Sequence, residues 1–450
     1  MYAVIGAGPM GLAAARNLDR HGIAFTGFEQ HADVGGLWDI DNPHSTMYET
    51  AHLISSKTTT EFAEFPMPAS VAAYPRHDEM RRYFRAYARH FDLYRHYEFS
   101  TRVLRVEPDG DGWRVTTESG GERRERRFAG VLIANGTLHH PNIPDLPGEF
   151  SGTLMHAGDY RTPSQLAGKR VLVVGCGNSG ADIAVDAVHH AASVDISVRR
   201  GYYFIPKFIF GRPTDTLGGK VKLPRRLKQL LDAALVRAVM GKPSQYGLPD
   251  PDYRMYESHP VMNSLILHHI GQGDIRPRAD IARLDGDGVA FADGSRGDYD
   301  LVLLATGYRL DYPFIDRAEL NWPADAGAPQ LYLNVFHPRH DTLFMMGMVE
   351  AAGLGWEGRN EQAELVALFI RGLAEGAPAA ARLKEMKASL AGCRIDGGYG
   401  YLKLERMAYY VHKDTYRKAV AGHAAALRRE LAAVAPRASN VKQPAARGAP

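Results

Sequence analysis

The sequence predicts an α/β protein made of two βαβ units with parallel sheets, the second inserted into a discontinuous first. Three observations predict it. A strand-like run, Tyr2 to Ile5, passes into Gly6-Ala7-Gly8-Pro9-Met10-Gly11 and then a helical pattern to about His21. A second run, Val171 to Val174, passes into Gly175-Cys176-Gly177-Asn178-Ser179-Gly180 and a helix containing Ile183, Val185 and Val188. A third apolar run, Leu301 to Ala305, ends at Thr306-Gly307, as a buried strand returning to a sheet does.

Composition bounds the function classes. The 450 residues suffice for roughly three compact units. With 45% apolar and 23% charged residues, the chain is that of a globular protein with a sizeable core. A net charge of +3 gives no bulk electrostatic reason to expect nucleic acid as a partner. Two cysteines, Cys176 and Cys393, exclude a disulfide scaffold and a cysteine-rich metal site, and no metal is expected. Met1 runs straight into the first strand, which leaves no room for a targeting leader. No apolar segment approaches the roughly 20 residues that span a bilayer. The expectation is a cytoplasmic protein without integral membrane association.

Two segments stand apart from the βαβ pattern. Residues 219–242 are basic and partly amphipathic, with Lys220, Lys222, Arg225, Arg226 and Lys228 preceding Leu230, Leu231 and Leu235. A membrane-surface helix and a solvated surface helix share this pattern, and the solvated helix is expected. Residues 434–450 are rich in Ala, Pro, Ser and Arg without periodicity, and read as a disordered tail.

The glycine loops differ in one informative way. Gly6 permits a tight turn, Gly8 lets the backbone approach a pyrophosphate, and Gly11 lets helix and strand pack closely. With Pro9 between them, they aim a helix N-terminus at the phosphates. The following strand, Ile23 to Phe28, ends in Glu29, about 20 residues on, where an acid accepts hydrogen bonds from ribose hydroxyls. The second loop repeats the glycines as Gly175, Gly177 and Gly180, with Asn178 and Ser179 among them, but its next strand, Ser193 to Val198, ends in Arg199-Arg200. A carboxylate there would repel a 2′-phosphate, whereas arginine pairs with it through a charge-assisted fork. The alternative is a pair of surface charges after a strand. The first loop is therefore expected to hold FAD and the second NADPH, in two Rossmann-like dinucleotide-binding domains. Hydride then passes from nicotinamide to flavin. No C-x-x-C pair exists for disulfide reduction, and Cys176 reads as a small packing residue.

Between the loops, Phe150-Ser151-Gly152 through His156 to Tyr160-Arg161-Thr162-Pro163 matches FxGxxxHxxxYRxP. This resembles the fingerprint of the class B flavin-containing monooxygenases. The resemblance continues through Gly35-Gly36-Leu37-Trp38, Ser55-Ser56-Lys57, Phe62 to Pro68, Pro144 to Gly148, Leu304 to Tyr308 and Leu331 to Gly347. GGLW, SSK and the Tyr160-Arg161 ending look more like the flavin-containing monooxygenases proper than the Baeyer–Villiger branch.

The resemblance implies a cycle in which NADPH reduces FAD and O2 adds to the reduced flavin at C4a, forming a hydroperoxide. A small-molecule sulfide or amine then takes the distal oxygen. It also implies that Gly36, Leu37 and Trp38 join the FAD site, that Gly152 and His156 lie on the interdomain linker, and that Thr306-Gly307 marks a crossing near the cofactors. A homodimer is a common outcome in such enzymes. The expected boundaries are 1–163 and 299–433 for the FAD domain and 164–298 for the NADPH domain, enlarged by a helical insertion over about 201–259.

Two departures from the family pattern matter. Asn135-Gly136 stands where many relatives have Thr-Gly, and the turn should survive. Ile54 stands where many have an Asn near the reactive edge of the flavin, and its side chain has no hydrogen bond to give. Ser55, Ser56 and His156 are the residues left to support the chemistry. The competing readings are a Baeyer–Villiger ketone monooxygenase and a largely uncoupled NADPH oxidase.

Overall fold

A computed structural model describes residues 1–217 and 223–434. Its first sheet is parallel and five-stranded. The central strand β1 (Tyr2–Ile5) lies between β2 (Phe25–Phe28) and β4 (Gly130–Ile133), with β3 (Tyr97–Glu98) and β10 (Leu343–Met345) at the edges. A strand covered on both faces needs a continuous apolar run, and Ala3, Val4 and Ile5 are all buried. Helix α1 (Pro9–Arg20) packs Leu12, Ala13, Ala15 and Leu18 inward, against the sheet and α4 (Gly355–Ala374). There the Asn17 amide donates to Asn360 Oδ1 at 2.8 Å, tying the start of the chain to its last third. The other face is covered by an antiparallel meander, Arg102–Asp109, Gly112–Ser119 and Glu122–Phe128, through Val103, Trp113, Val115 and Phe128.

The second sheet is also parallel and five-stranded, in the order β5 (Thr153–His156), β9 (Leu301–Leu304), β6 (Arg170–Val174), β7 (Ser193–Ser197) and β8 (Ile275–Arg278). Helix α2 (Asn178–Val188) buries Ile183, Ala184 and Ala187 on one face. A four-stranded sheet of Gly148–Phe150, Ile281–Gly286, Gly288–Phe291 and Arg296–Asp298 covers the other.

This pairing moves the expected domain boundaries. Both β5 and β9 were assigned to the first unit, yet Leu301 is paired with Thr153 on one side and Val171 on the other. The apolar Leu301–Leu304 run is thus an inner strand of the second sheet, and the FxG segment opens that unit instead of linking to it. The chain crosses between units at His140–Pro141 and Tyr308–Arg309, which pair with each other antiparallel. The insertion is helical only in part. It holds a short hairpin, Phe208–Ile209 with Arg212–Pro213, and one long helix, α3 (Arg225–Met240). Lys220 and Lys222 lie outside the described residues, as does the tail beyond Val434, where helix α5 (Lys413–Val434) ends. Among the described residues no helix is long and apolar enough to cross a membrane.

One half-buried and one buried histidine make the fold acid-sensitive. His259, whose Nδ1 lies 3.1 Å from the Tyr410 hydroxyl, and His337, whose Nδ1 accepts from the His340 N–H at 2.9 Å, are both pushed down to about 3 by burial. The unfolded chain takes up these protons near 6.5, so stability present above that pH is lost as pH falls toward 3. The slope is about 1.4 kcal/mol per pH unit for each group. Tm should fall steadily from pH 6.5 to 4.5, and His259→Asn should flatten that branch. A Tm unchanged across this range would contradict the assignment.

Candidate functional site

The first glycine loop has little freedom to be anything else. Gly6 has φ +104°, and a Cβ there would sit 2.6 Å from the Ala134 carbonyl oxygen. A Cβ on Gly11 would fall 1.9 Å from the Gly6 oxygen. Opposite the loop, a Cβ on Gly36 would lie 2.9 Å from the Gly8 Cα, so two bare backbones face one another. Helix α1 starts with Pro9 and has no side-chain cap, which leaves its first N–H groups for a ligand. Glu29 is buried at the end of β2. Its Oε2 accepts from the Ala7 N–H at 2.6 Å and its Oε1 from the His31 N–H at 2.8 Å. Burial pushes its carboxyl up, and the backbone N–H bonds oppose that shift.

Leu37 and Trp38 form a half-buried 3₁₀ turn, with Trp38 edge-on to Trp356 at 6.0 Å. Asp39 follows directly, and sequence reasoning missed it. Its fully buried carboxylate accepts from Arg85 Nη2 at 2.7 Å and Arg81 Nη1 at 3.3 Å. Burial alone would raise this carboxyl, but the two arginines hold it below the usual range. The available signal was an acid after the motif and arginines four apart on one helix.

The second loop repeats the geometry. Gly175 has φ +97°, and a Cβ on Gly180 would fall 2.1 Å from the Gly175 oxygen. Gly177 has no described atom within 4 Å of its Cβ position, so it borders open space, and exposed Ser179 lies in the first turn of an uncapped α2. Asn178 is turned away: its Oδ1 accepts from the Met262 N–H at 2.8 Å and its amide reaches the Pro260 oxygen. That side chain holds the end of the insertion against α2. Arg199 is 77% exposed, with Asp280 at 4.0 Å, whereas Arg200 is half-buried and its Nη1 has no hydrogen-bond partner among the described residues.

The fingerprint segment ties the two units together through named bonds. Tyr160 and Thr50 both donate to Asp186 Oδ2 on α2, at 2.5 and 2.7 Å, and Arg161 Nη2 donates to the Ser45 oxygen at 2.6 Å. Buried His156 accepts the Gly158 N–H at Nδ1 (3.0 Å), which leaves Nε2–H to donate to the Gly307 oxygen at 3.1 Å. Burial pushes its pKa down, so the ring is neutral and fixes one crossing segment to the other. Thr306 donates to the Asn142 oxygen and closes the same crossing. Ser55 bonds Thr60, and the Ser56 hydroxyl lies within reach of Thr58 and Thr59, so both hydroxyls are engaged locally. Beside them Asp215, from the insertion, accepts the Ser56 N–H at 2.7 Å and the Thr59 hydroxyl at 2.6 Å. Between the units runs a cleft of about 460 Å³ lined by Thr50, His52, Asp182, Lys207 and Asn263.

Two glycine loops of this kind on adjoining parallel sheets narrow the identity, and the comparison with known families decides it. Residues 1–419 match the family model described as flavin-binding monooxygenase-like. The chain belongs to that family. It is 30% identical over 395 residues to flavin-containing monooxygenase 5 of Oryctolagus cuniculus, covering 82% of this chain and 73% of that protein. Its fold is similar to S-allyl-L-cysteine S-oxygenase of Allium sativum, with TM-score 0.65 and 20% identity over 96% of this chain and 91% of that one. It is also similar to a cyclohexanone monooxygenase variant of Rhodococcus sp. Phi1 bound to NADP+, with TM-score 0.72 and 20% identity over 95% and 98%. As a member of this family the chain is an NADPH-dependent flavin monooxygenase that uses FAD.

Nucleotide choice is testable at Arg199. Arg199→Ala should raise KM for NADPH about tenfold and leave KM for NADH nearly unchanged, the loss of one charge-assisted contact. Equal effects on both nucleotides would refute a 2′-phosphate contact.

Proposed function

We propose that this monooxygenase oxygenates a soft nucleophile, the sulfur of a sulfide or the nitrogen of an amine, in a small cytoplasmic molecule. Bound FAD, reduced by NADPH, supplies the activated oxygen. The observation that carries the reading is the pairing of unlike loops, Glu29 closing one cradle and Arg199 bordering the other, with Tyr160, Thr50 and Asp186 locking the two together. Glu29 holds the ribose of FAD. Arg199 holds the 2′-phosphate of NADPH, and the glycine loops hold the two pyrophosphates. The bonds of Tyr160 and Thr50 to Asp186 keep the loops at a fixed separation, the positioning that a reactive oxygen needs if it is to reach substrate instead of leaving as H2O2. The mixed-charge cleft beside Lys207 and Asp182 is the route we assign to the substrate. The S-oxygenase among the similar structures supports the sulfur reading.

Ile54 favours a second reading. It is half-buried between Leu53 and Ser55, and neither neighbouring serine hydroxyl is free to replace an amide. That points to an enzyme that spends part of its NADPH on H2O2.

Oxygen bookkeeping separates the readings. With ¹⁸O2 and a panel of thioethers, tertiary amines and cyclic ketones, one labelled atom should enter a sulfoxide or N-oxide for each NADPH consumed. A labelled lactone would make it a ketone monooxygenase. H2O2 equal to NADPH consumed across the whole panel would make it an oxidase.

A further inference from the structure

Helix α3 is amphipathic in the reverse sense. Gln229, Ala233 and Val236 face the protein: the Gln229 amide donates to the Met255 oxygen at 2.9 Å, and the other two pack on Tyr203, Ile205, Tyr253 and Met255. At 100° per residue, Leu227, Leu230, Leu231, Leu235 and Val239 fall on the opposite side, facing solvent, with Leu230 68% exposed. Leu223, just before the helix, is exposed too. A solvated surface helix turns leucines inward. This one carries a stripe of them outward, which marks an interaction surface.

Charge identifies the occupant. Arg226 and Arg237, about three turns apart, lie along the same edge of the stripe, both exposed, and among the described residues neither has a carboxylate partner. The acid on the other edge, Asp232, is engaged by Lys228 and by the Tyr256 hydroxyl. A second copy packed antiparallel about a twofold axis would set this arginine edge against its own image. Packed parallel, it would set the arginines against an acid already held. A layer of anionic headgroups over apolar chains receives both the arginines and the leucines without conflict. The same insertion presents another apolar point: Phe210, 93% exposed at the tip of its hairpin, with exposed Arg212 two residues on.

We propose that this face of the insertion docks the enzyme peripherally on an anionic phospholipid surface, with α3 lying in the headgroup layer.

The test is co-sedimentation of the full, FAD-loaded chain with vesicles of phosphatidylcholine alone or with 30% phosphatidylglycerol. The wild type should partition at least tenfold more strongly onto the anionic vesicles. Leu230→Ser with Leu231→Ser and Leu235→Ser should lower that partition at least tenfold while NADPH oxidation in solution is unchanged. Arg226→Gln with Arg237→Gln should abolish the preference for anionic lipid. Phe210→Ser, made alone in a separate element, should weaken binding even if the triple variant folds poorly. Equal partition of the wild type onto both vesicles overturns the proposal, as does a triple variant that binds like the wild type. A dimer in sedimentation velocity that dissociates on the leucine substitutions also overturns it, in favour of a second copy.

Discussion

Gly180→Ala leaves FAD on the protein but slows reduction of the bound flavin by NADPH at least about a hundredfold, whereas Gly11→Ala yields protein without FAD. The two glycines hold equivalent places. Each is where a helix passes over the carbonyl of the first glycine in its loop, and added Cβ atoms would fall 2.1 Å from the Gly175 oxygen and 1.9 Å from the Gly6 oxygen. Both contacts are with backbone, so no side-chain rotation relieves them. The helix must lift from its strand. Overpacking of this kind costs about 1–3 kcal/mol. It also displaces the helix N-terminus to which we assign the phosphate, and a shift of about 1 Å in a positioning element costs about a hundredfold in rate.

The separate sheets keep the effects apart. Anaerobic stopped-flow reduction measures the first variant, and flavin absorbance per protein measures both. Loss of FAD from Gly180→Ala, or normal reduction by it, would show that α2 does not hold the nicotinamide nucleotide.

Those loops were legible because everything they need is local. A turn with φ near +100°, a close helix and a charged residue at the next strand end all fall within about thirty residues, and the glycines follow from hard sterics. Three features were not. Strand β5 lies inside the fingerprint segment and β9 is a plain apolar run, and only pairing shows that they share a sheet with β6; periodicity says what is a strand, never which sheet receives it. The α3 pattern was visible as amphipathic, but which side meets solvent depends on Tyr203, Tyr253 and Met255, which carry no pattern that aims them at the helix. The third is Asp215. Nothing around it in the sequence marks it, because its partners, Ser56 and Thr59, lie in the other unit. His156 shows the converse: the fingerprint found the residue, and its hydrogen bonds show a neutral ring joining two crossing segments.

Asp215→Ala should raise the share of NADPH that ends as H2O2 about three- to tenfold, with FAD content and KM for NADPH little changed. One carboxylate oxygen of Asp215 receives both the Ser56 N–H and the Thr59 hydroxyl, capping the short helix Lys57–Thr60 from across the domain interface. Removing it strands the Ser56 N–H in a largely buried place, at a cost of about 1–3 kcal/mol. The segment Ile54-Ser55-Ser56 is then free to move away from the second unit. By family resemblance that segment borders the reactive edge of the flavin, and Ile54 already gives no amide there. Closure by Asp215 is then what keeps this segment against the second unit and water away from it. Asp215→Asn keeps an acceptor oxygen but loses the charge, so it should fall between the alanine variant and the wild type. Asp215 makes no contact with either glycine loop, which is why nucleotide affinity should hold while coupling fails. Coupling equal to the wild type in Asp215→Ala would show that the Ser56 segment is held by the threonines around it, and that the insertion has no part in protecting the oxygen.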